Sequence, residues 1–201
     1  MKIVIKNIGD FTPSEYEKMY SAMSPGRRKK ADGYGRESDR KLCILADHIA
    51  RSLVSEYLNI PEEKVEFTFA GNGKPYVAGN DCFIGISHSG HFAAAAVSEN
   101  PVGIDIEEKK DRDLRILRRA ATDSEIEFVG SDPQRLLMLW TLKEAHLKCT
   151  GEGISGNLKS VSFEIGESGI VSNIPGFIYS CRVTPDYIIS SAEKTGTETR
   201  E

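Results

Sequence analysis

"PVGIDIEEKK", residues 101–110, is the stretch on which the reading of this 201-residue chain turns. It starts as a buried β-strand and then carries two carboxylates, Asp105 and Glu107, at alternating positions. In an extended strand those two share one face, while Ile104 and Ile106 point to the other. Gly103 removes a side chain just ahead of Asp105. One face is therefore core and the other doubly acidic. A lone Asp-x-Glu is by default an exposed strand running into the charged turn "EEKKDR". The chemical reading is a hard cation such as Mg²⁺, which takes oxygen ligands and relieves the repulsion between paired carboxylates.

Working upstream, Ile3 and Ile5 alternate with polar neighbours as in a first strand, and "TPSE" at 12–15 has the spacing of a capping box opening a short helix. Then comes the basic run Arg27, Arg28, Lys29, Lys30, followed by Arg36, Arg40 and Lys41. From Ser38 to about Tyr57, Leu42, Leu45, Ile49, Leu53 and Val54 recur at three- and four-residue intervals, one face of a long helix. The period then shortens: "VEFTFA", "KPYVAG", "CFIGIS", "FAAAAVS" and "VGIDIE" read as short strands in a meandering antiparallel sheet.

Downstream, the helical period returns from Asp113 to about Lys148. "TDSE" at 122–125 offers a second capping box, and "SDP" at 131–133 an N-cap followed by Pro. "SVSFEI", "GIVS", "GFIYSCRV" and "YIISSAE" are strands again. The order is helix then sheet, twice, with the division near Pro101. It predicts an α+β protein of two similar lobes, 1–100 and 101–201, each a small antiparallel sheet on a long helix. No clear sequence repeat links the halves. Sites commonly form between such lobes, so the active site is expected in the cleft between them.

The whole-chain properties narrow the function. Hydrophobic residues are 39% and charged residues 28%, as in an ordinary globular protein. A net charge of -4 marks no nucleic-acid binder. Cys43, Cys82, Cys149 and Cys181 are widely spaced, with no metal-ligand or disulfide pattern, which fits thiols in a reducing compartment. No apolar run reaches membrane-spanning length. A cytoplasmic protein is expected.

A second constellation is "WTLKEAHLK", residues 140–148. Helical spacing puts Trp140, Glu144 and Lys148 along one stripe with Lys143 beside it. An ordinary solvated ion-pair face is the plain reading; the large Trp, seldom left wholly exposed, weighs against it. Lysines and a carboxylate facing a cleft suit phosphate chemistry, the lysines offsetting negative charge and the carboxylate taking a proton from a hydroxyl. A third feature is "GNGKP" with "GISHSG": Lys74, Ser87 and His88 sit at strand ends where they can reach an anion. Ser-His-Ser is not a catalytic triad, because no orienting acid can be assigned. Glu125 is a further oxygen donor whose plain role is the capping box itself.

Together "GKP", "SHS", "GIDIE" and "WTLKEAHLK", in this order, resemble the 4′-phosphopantetheinyl transferases of the Sfp type. The resemblance spans nearly the whole chain, and its most specific part is a Gly-Ile-Asp-x-Glu strand followed by a Trp-x-x-Lys-Glu-x-x-x-Lys helix. It implies a pseudo-dimer of two lobes with coenzyme A between them. It also implies Asp105, Glu107 and Glu125 as Mg²⁺ ligands, and Glu144, Lys143 and Lys148 as the catalytic group, the two lysines also meeting coenzyme A. Arg27, Lys30, Arg40, Lys74, Ser87 and His88 resemble the contacts to its 3′-phosphate and adenine region. The implied reaction moves the phosphopantetheine arm to a serine of an acyl or peptidyl carrier protein and releases 3′,5′-ADP. Ile154 is the candidate for docking the carrier. A monomer is expected, since two fused lobes already supply the interface. The rival reading is a Mg²⁺-dependent phosphohydrolase with water as nucleophile.

Overall fold

The apolar stripe from Leu42 to Val54 folds as the helix Glu37–Leu58. Its last turn closes on Asn59, whose backbone is left-handed at φ 53° and whose N–H donates to the carbonyl of Ser55. In this computed structural model the described residues are 1–71, 74–79, 82–110, 117–152, 157–167 and 169–196, the side chains of 117 and 118 excepted. They divide into two compact units, Met1–Glu99 and Asn100–Glu201.

The first unit runs β1 (Lys2–Asn7), α1 (Pro13–Ala22), α2 (Pro25–Asp32), α3 (Glu37–Leu58), β2 (Phe67–Phe69), β3 (Pro75–Val77), β4 (Phe83–Ser89) and β5 (Phe92–Ser98). Thr12 caps α1 through the box with Glu15 that the sequence announces, and Ser24 caps α2, which contains the basic run. β1, β5 and β4 form an antiparallel sheet in that order, with Lys2 opposite Val97 and Ser87 opposite Ala94. α3 packs on this sheet, where Ala93 and Ala95 share a core with its side chains, while Ala94 and Ala96, also buried, point to the other face. β2 and β3 form a separate hairpin.

The second unit runs β6 (Val102–Glu108), α4 (Leu117–Ala120), α5 (Asp123–Val129), α6 (Pro133–Thr150), β7 (Phe163–Gly166), β8 (Gly169–Ser172), β9 (Phe177–Val183) and β10 (Tyr187–Lys194). Thr122 and Glu125 form the capping box of α5; Asp132 caps α6 with Pro133 at its first position. β6, β10 and β9 form the antiparallel sheet, Asp105 opposite Ser190 and Glu107 opposite Ile188. α6 packs on β6 and β10.

Each unit thus pairs its first strand with its last and its last with its penultimate, sets a long helix on that sheet, and follows the helix with a two-stranded hairpin. The expected α+β class of two similar lobes is met. The single meander is not what forms: the N-terminal strand pairs with β5, β2 and β3 stand apart, and β6 belongs to the second sheet. Strand order is set by contacts distant in sequence, which local alternation does not encode.

Candidate functional site

Gly103 is the hinge of the local geometry. A Cβ built there would lie 2.1 Å from the carbonyl oxygen of Ala145 and 2.3 Å from the amide nitrogen of Cys149, both backbone atoms of α6. Only glycine lets strand and helix approach this closely. The face of β6 that carries Gly103, Asp105 and Glu107 is therefore the face turned to α6. A second tie fixes the helix: the Thr141 and Ser190 hydroxyls lie 2.7 Å apart, and Ser190 is the cross-strand neighbour of Asp105.

With the helix set this way, Lys148 donates to Asp105 Oδ1 at 2.6 Å. Asp105 is buried, Glu107 half-buried, and the Lys148 side chain retains 32% exposure. Glu144 is buried at 4% exposure and lies three residues after Thr141 and four before Lys148, on the same helical stripe. Ile104 and Ile106 are buried on the opposite face, as the alternation requires. Trp140 is half-buried at the start of the stripe.

Glu125 and Lys143 are brought together elsewhere. Lys143 donates to Glu125 Oε1 at 2.9 Å, to the carbonyl of Leu158 at 2.9 Å and to that of Val161, which uses all three ammonium donors. Glu125 Oε1 also accepts from the Phe163 amide at 2.9 Å, and Oε2 accepts from the Thr122 amide at 2.7 Å and its hydroxyl at 3.1 Å. Both side chains are 0% exposed. Burial pulls the Lys143 ammonium below its usual pKa, opposed by Glu125. Glu125, expected as a metal ligand, and Lys143, expected to meet a phosphate, are thus bonded to each other and to their neighbours inside the fold. Among the described residues, no three of His, Cys, Asp and Glu form a ready metal cluster.

In the first unit Arg27, expected at coenzyme A, is also bonded inside the fold. Its Nε donates to Asp47 Oδ1 at 2.8 Å, its guanidinium lies over the ring of Phe69, and its side chain is buried. Arg51 completes the cluster, with Nη2 3.6 Å from Asp47 Oδ2 and Nη1 donating to the carbonyl of Val65. Lys30 and His88 are exposed. Arg40 lies over the Tyr20 ring with Nε 3.5 Å from Asp32, and Lys74 lies over Tyr76. Ser87 is buried in β4. Residue 154, named above for carrier docking, lies outside the described residues.

Sequence reasoning missed Asp47, Arg51, Thr141 and Ser190. An Asp and an Arg four apart inside the apolar stripe of α3 were the available signal for the first two. Nothing local distinguishes Ser190 or Thr141 from other small polar residues.

Comparison with known proteins covers both units. A family model described as the 4′-phosphopantetheinyl transferase superfamily matches residues 101–189, and one described as 4′-phosphopantetheinyl transferase, N-terminal, matches residues 10–100. The 4′-phosphopantetheinyl transferase psf-1 of Bacillus pumilus is 34% identical over 77% of this chain and 69% of its own length. The 4′-phosphopantetheinyl transferase Sfp of Bacillus subtilis (strain 168) is 30% identical over 86% and 83%. The L-aminoadipate-semialdehyde dehydrogenase-phosphopantetheinyl transferase of Xenopus laevis is 27% identical over 78% and 59%.

Proposed function

Because this chain belongs to the 4′-phosphopantetheinyl transferase superfamily, we propose that it moves the 4′-phosphopantetheine arm of coenzyme A onto a serine of an acyl or peptidyl carrier protein. The observation that carries the reading is the joint one: both lobes match the family, and the acidic strand and the Glu-Lys stripe of α6 face each other across the Gly103 contact. Nothing among the relatives favours the phosphohydrolase.

The serine oxygen bonds to the β-phosphorus of coenzyme A, the anhydride bond breaks, and 3′,5′-ADP leaves. In this scheme Glu144 accepts the serine proton, directly or through a water, from its buried place on the stripe. Lys148, still a third exposed, turns its ammonium to the phosphate charge. Asp105 and Glu107, whose carboxylates share one strand face, would offer oxygen ligands to Mg²⁺. Mg²⁺ supplies neutralisation of pyrophosphate charge when bound. Lys30, Arg40, Lys74, Ser87 and His88 remain the candidate contacts of the first unit to the 3′-phosphate and adenine. For Arg27, expected at coenzyme A, Lys143, expected at the catalytic centre and coenzyme A, and Glu125, expected on the metal, the buried bonds favour fold-building roles. Action as a cytoplasmic monomer belongs to the same proposal; the four free thiols fit a reducing compartment. No helix among the described residues is long and apolar enough to cross a membrane.

Product analysis tests the reaction type. With coenzyme A, Mg²⁺ and an apo carrier protein, 3′,5′-ADP should accumulate only when the carrier is present. Carrier-independent release of orthophosphate would instead indicate hydrolysis.

A further inference from the structure

We infer that Lys143 and Glu125 form a positioning pair that holds α6 at the rotation required by Glu144 and Lys148, rather than contacts to coenzyme A or Mg²⁺. The inference rests on the transferase reading for what is being positioned. The two units argue for it independently, because each contains the same device built from different residues.

In α3 the buried cation is Arg51, and its acid is Asp47. Arg51 reaches forward to the carbonyls of Glu62 and Val65 in the segment that follows its helix. In α6 the buried cation is Lys143, and it reaches forward to the carbonyls of Leu158 and Val161. In both units those two carbonyls are three residues apart, the second belongs to a buried valine, and a phenylalanine two residues later, Phe67 or Phe163, opens the hairpin. Arg51 and Lys143 each precede the left-handed cap of their helix, Asn59 or Gly151, by eight residues. The acids come from different places: Asp47 is on the same helix as its arginine, whereas Glu125 is on α5. What recurs is the geometry of a buried cation tying a long helix to its following hairpin. The first unit uses it beside a strand, β1, that carries no carboxylate.

In the second unit the tie has a chemical consequence. Lys143 precedes Glu144, about 100° around the helix at 3.6 residues per turn. Its three bonds, to α5 and to residues 158 and 161, set the rotation of α6 about its axis. The Gly103 contact sets the distance of that helix from β6. Together they fix where Glu144 and Lys148 stand against Asp105.

Two measurements decide the matter. In the wild-type protein, acylation by an amine-reactive reagent should leave Lys143 unmodified with or without coenzyme A, whereas Lys148 should react and be protected by coenzyme A. The Lys143→Met variant should lose at least tenfold in kcat while its Kd for coenzyme A, measured by equilibrium dialysis, stays within about threefold of wild type. Lys143→Arg, which copies the cation of the first unit, should recover most of that kcat. Labelling of Lys143 in the free protein with protection by coenzyme A would overturn the inference, and so would a more than tenfold rise in the Kd of Lys143→Met. If Lys143→Met does not fold, the wild-type labelling decides alone. Lys148 left unprotected by coenzyme A is the separate failure of the transferase reading.

Discussion

Lys148 Nζ lies 2.6 Å from Asp105 Oδ1, joining the last turn of α6 to the middle of β6 across the contact that Gly103 opens. The pair is lopsided in exposure, 32% for the lysine side chain and 7% for the aspartate. The lysine can therefore swing toward a substrate while the aspartate stays fixed. Lys148→Ala leaves the buried Asp105 carboxylate without its cation and should cost on the order of 1–3 kcal/mol. It should lower transferase kcat/KM by more than tenfold. Asp105→Asn should fold and lose activity more severely, on the order of a hundredfold. Parallel turnover and thermal-unfolding measurements on the two variants check both statements.

Gly103→Ala places a methyl group against helix backbone, which cannot turn aside as a side chain would. The helix must move off the strand, at a cost of about 1–3 kcal/mol or more. Denaturant titration should show the lower stability. Activity should fall in whatever fraction stays folded, because Lys148 and Asp105 separate.

Asp47 sits between two buried arginines, its own side chain 2% exposed and those of Arg27 and Arg51 9% each. Asp47→Ala leaves two buried cations without their acid, and a loss of about 3–5 kcal/mol is expected. The midpoint of chemical unfolding measures it. Arg27→Ala should likewise act on stability more than on coenzyme A binding.

His146 is buried, its Nδ1 2.8 Å from the Tyr179 hydroxyl and its ring edge-on to Phe177 at 4.8 Å. Burial lowers its pKa, with Glu152 opposing and Lys143 adding to the shift. The unfolded chain therefore takes up the imidazole proton first. The contribution of His146 is fully present above its unfolded pKa of about 6.5 and is lost as pH falls toward the lower folded value. Thermal midpoints from pH 8 to pH 5 should decline on the acidic side. His146→Gln should flatten that slope.

Much of the architecture was legible because it is locally encoded. Thr12, Thr122, Asp132 and the stripe from Leu42 to Val54 mark helix ends and faces by residue type and spacing alone. Asp105 and Glu107 could be assigned to one face, and Glu144 and Lys148 to one stripe, by the same arithmetic. Which neighbour each side chain finds is not local. Lys143 and Glu144 are adjacent in sequence, yet the helix turns one to Glu125 and the carbonyls at 158 and 161, the other to the strand side. Glu125 reads as the cap it proves to be, but its further bonds to the Phe163 amide and Lys143 come from segments that local spacing does not bring together. Arg27 reads as a surface cation until Asp47 appears opposite it. The repeated cation tie was hidden in the same way: Arg51 and Lys143 differ in type, and their acids differ in position.

The account is tested most directly by the mass of an apo carrier protein after incubation with this protein, coenzyme A and Mg²⁺. A gain of one phosphopantetheine arm on the acceptor serine is predicted. The gain should be abolished by a chelator and nearly abolished in the Asp105→Asn variant. No gain on any of several acyl and peptidyl carriers, with the protein folded and coenzyme A intact, would contradict the account.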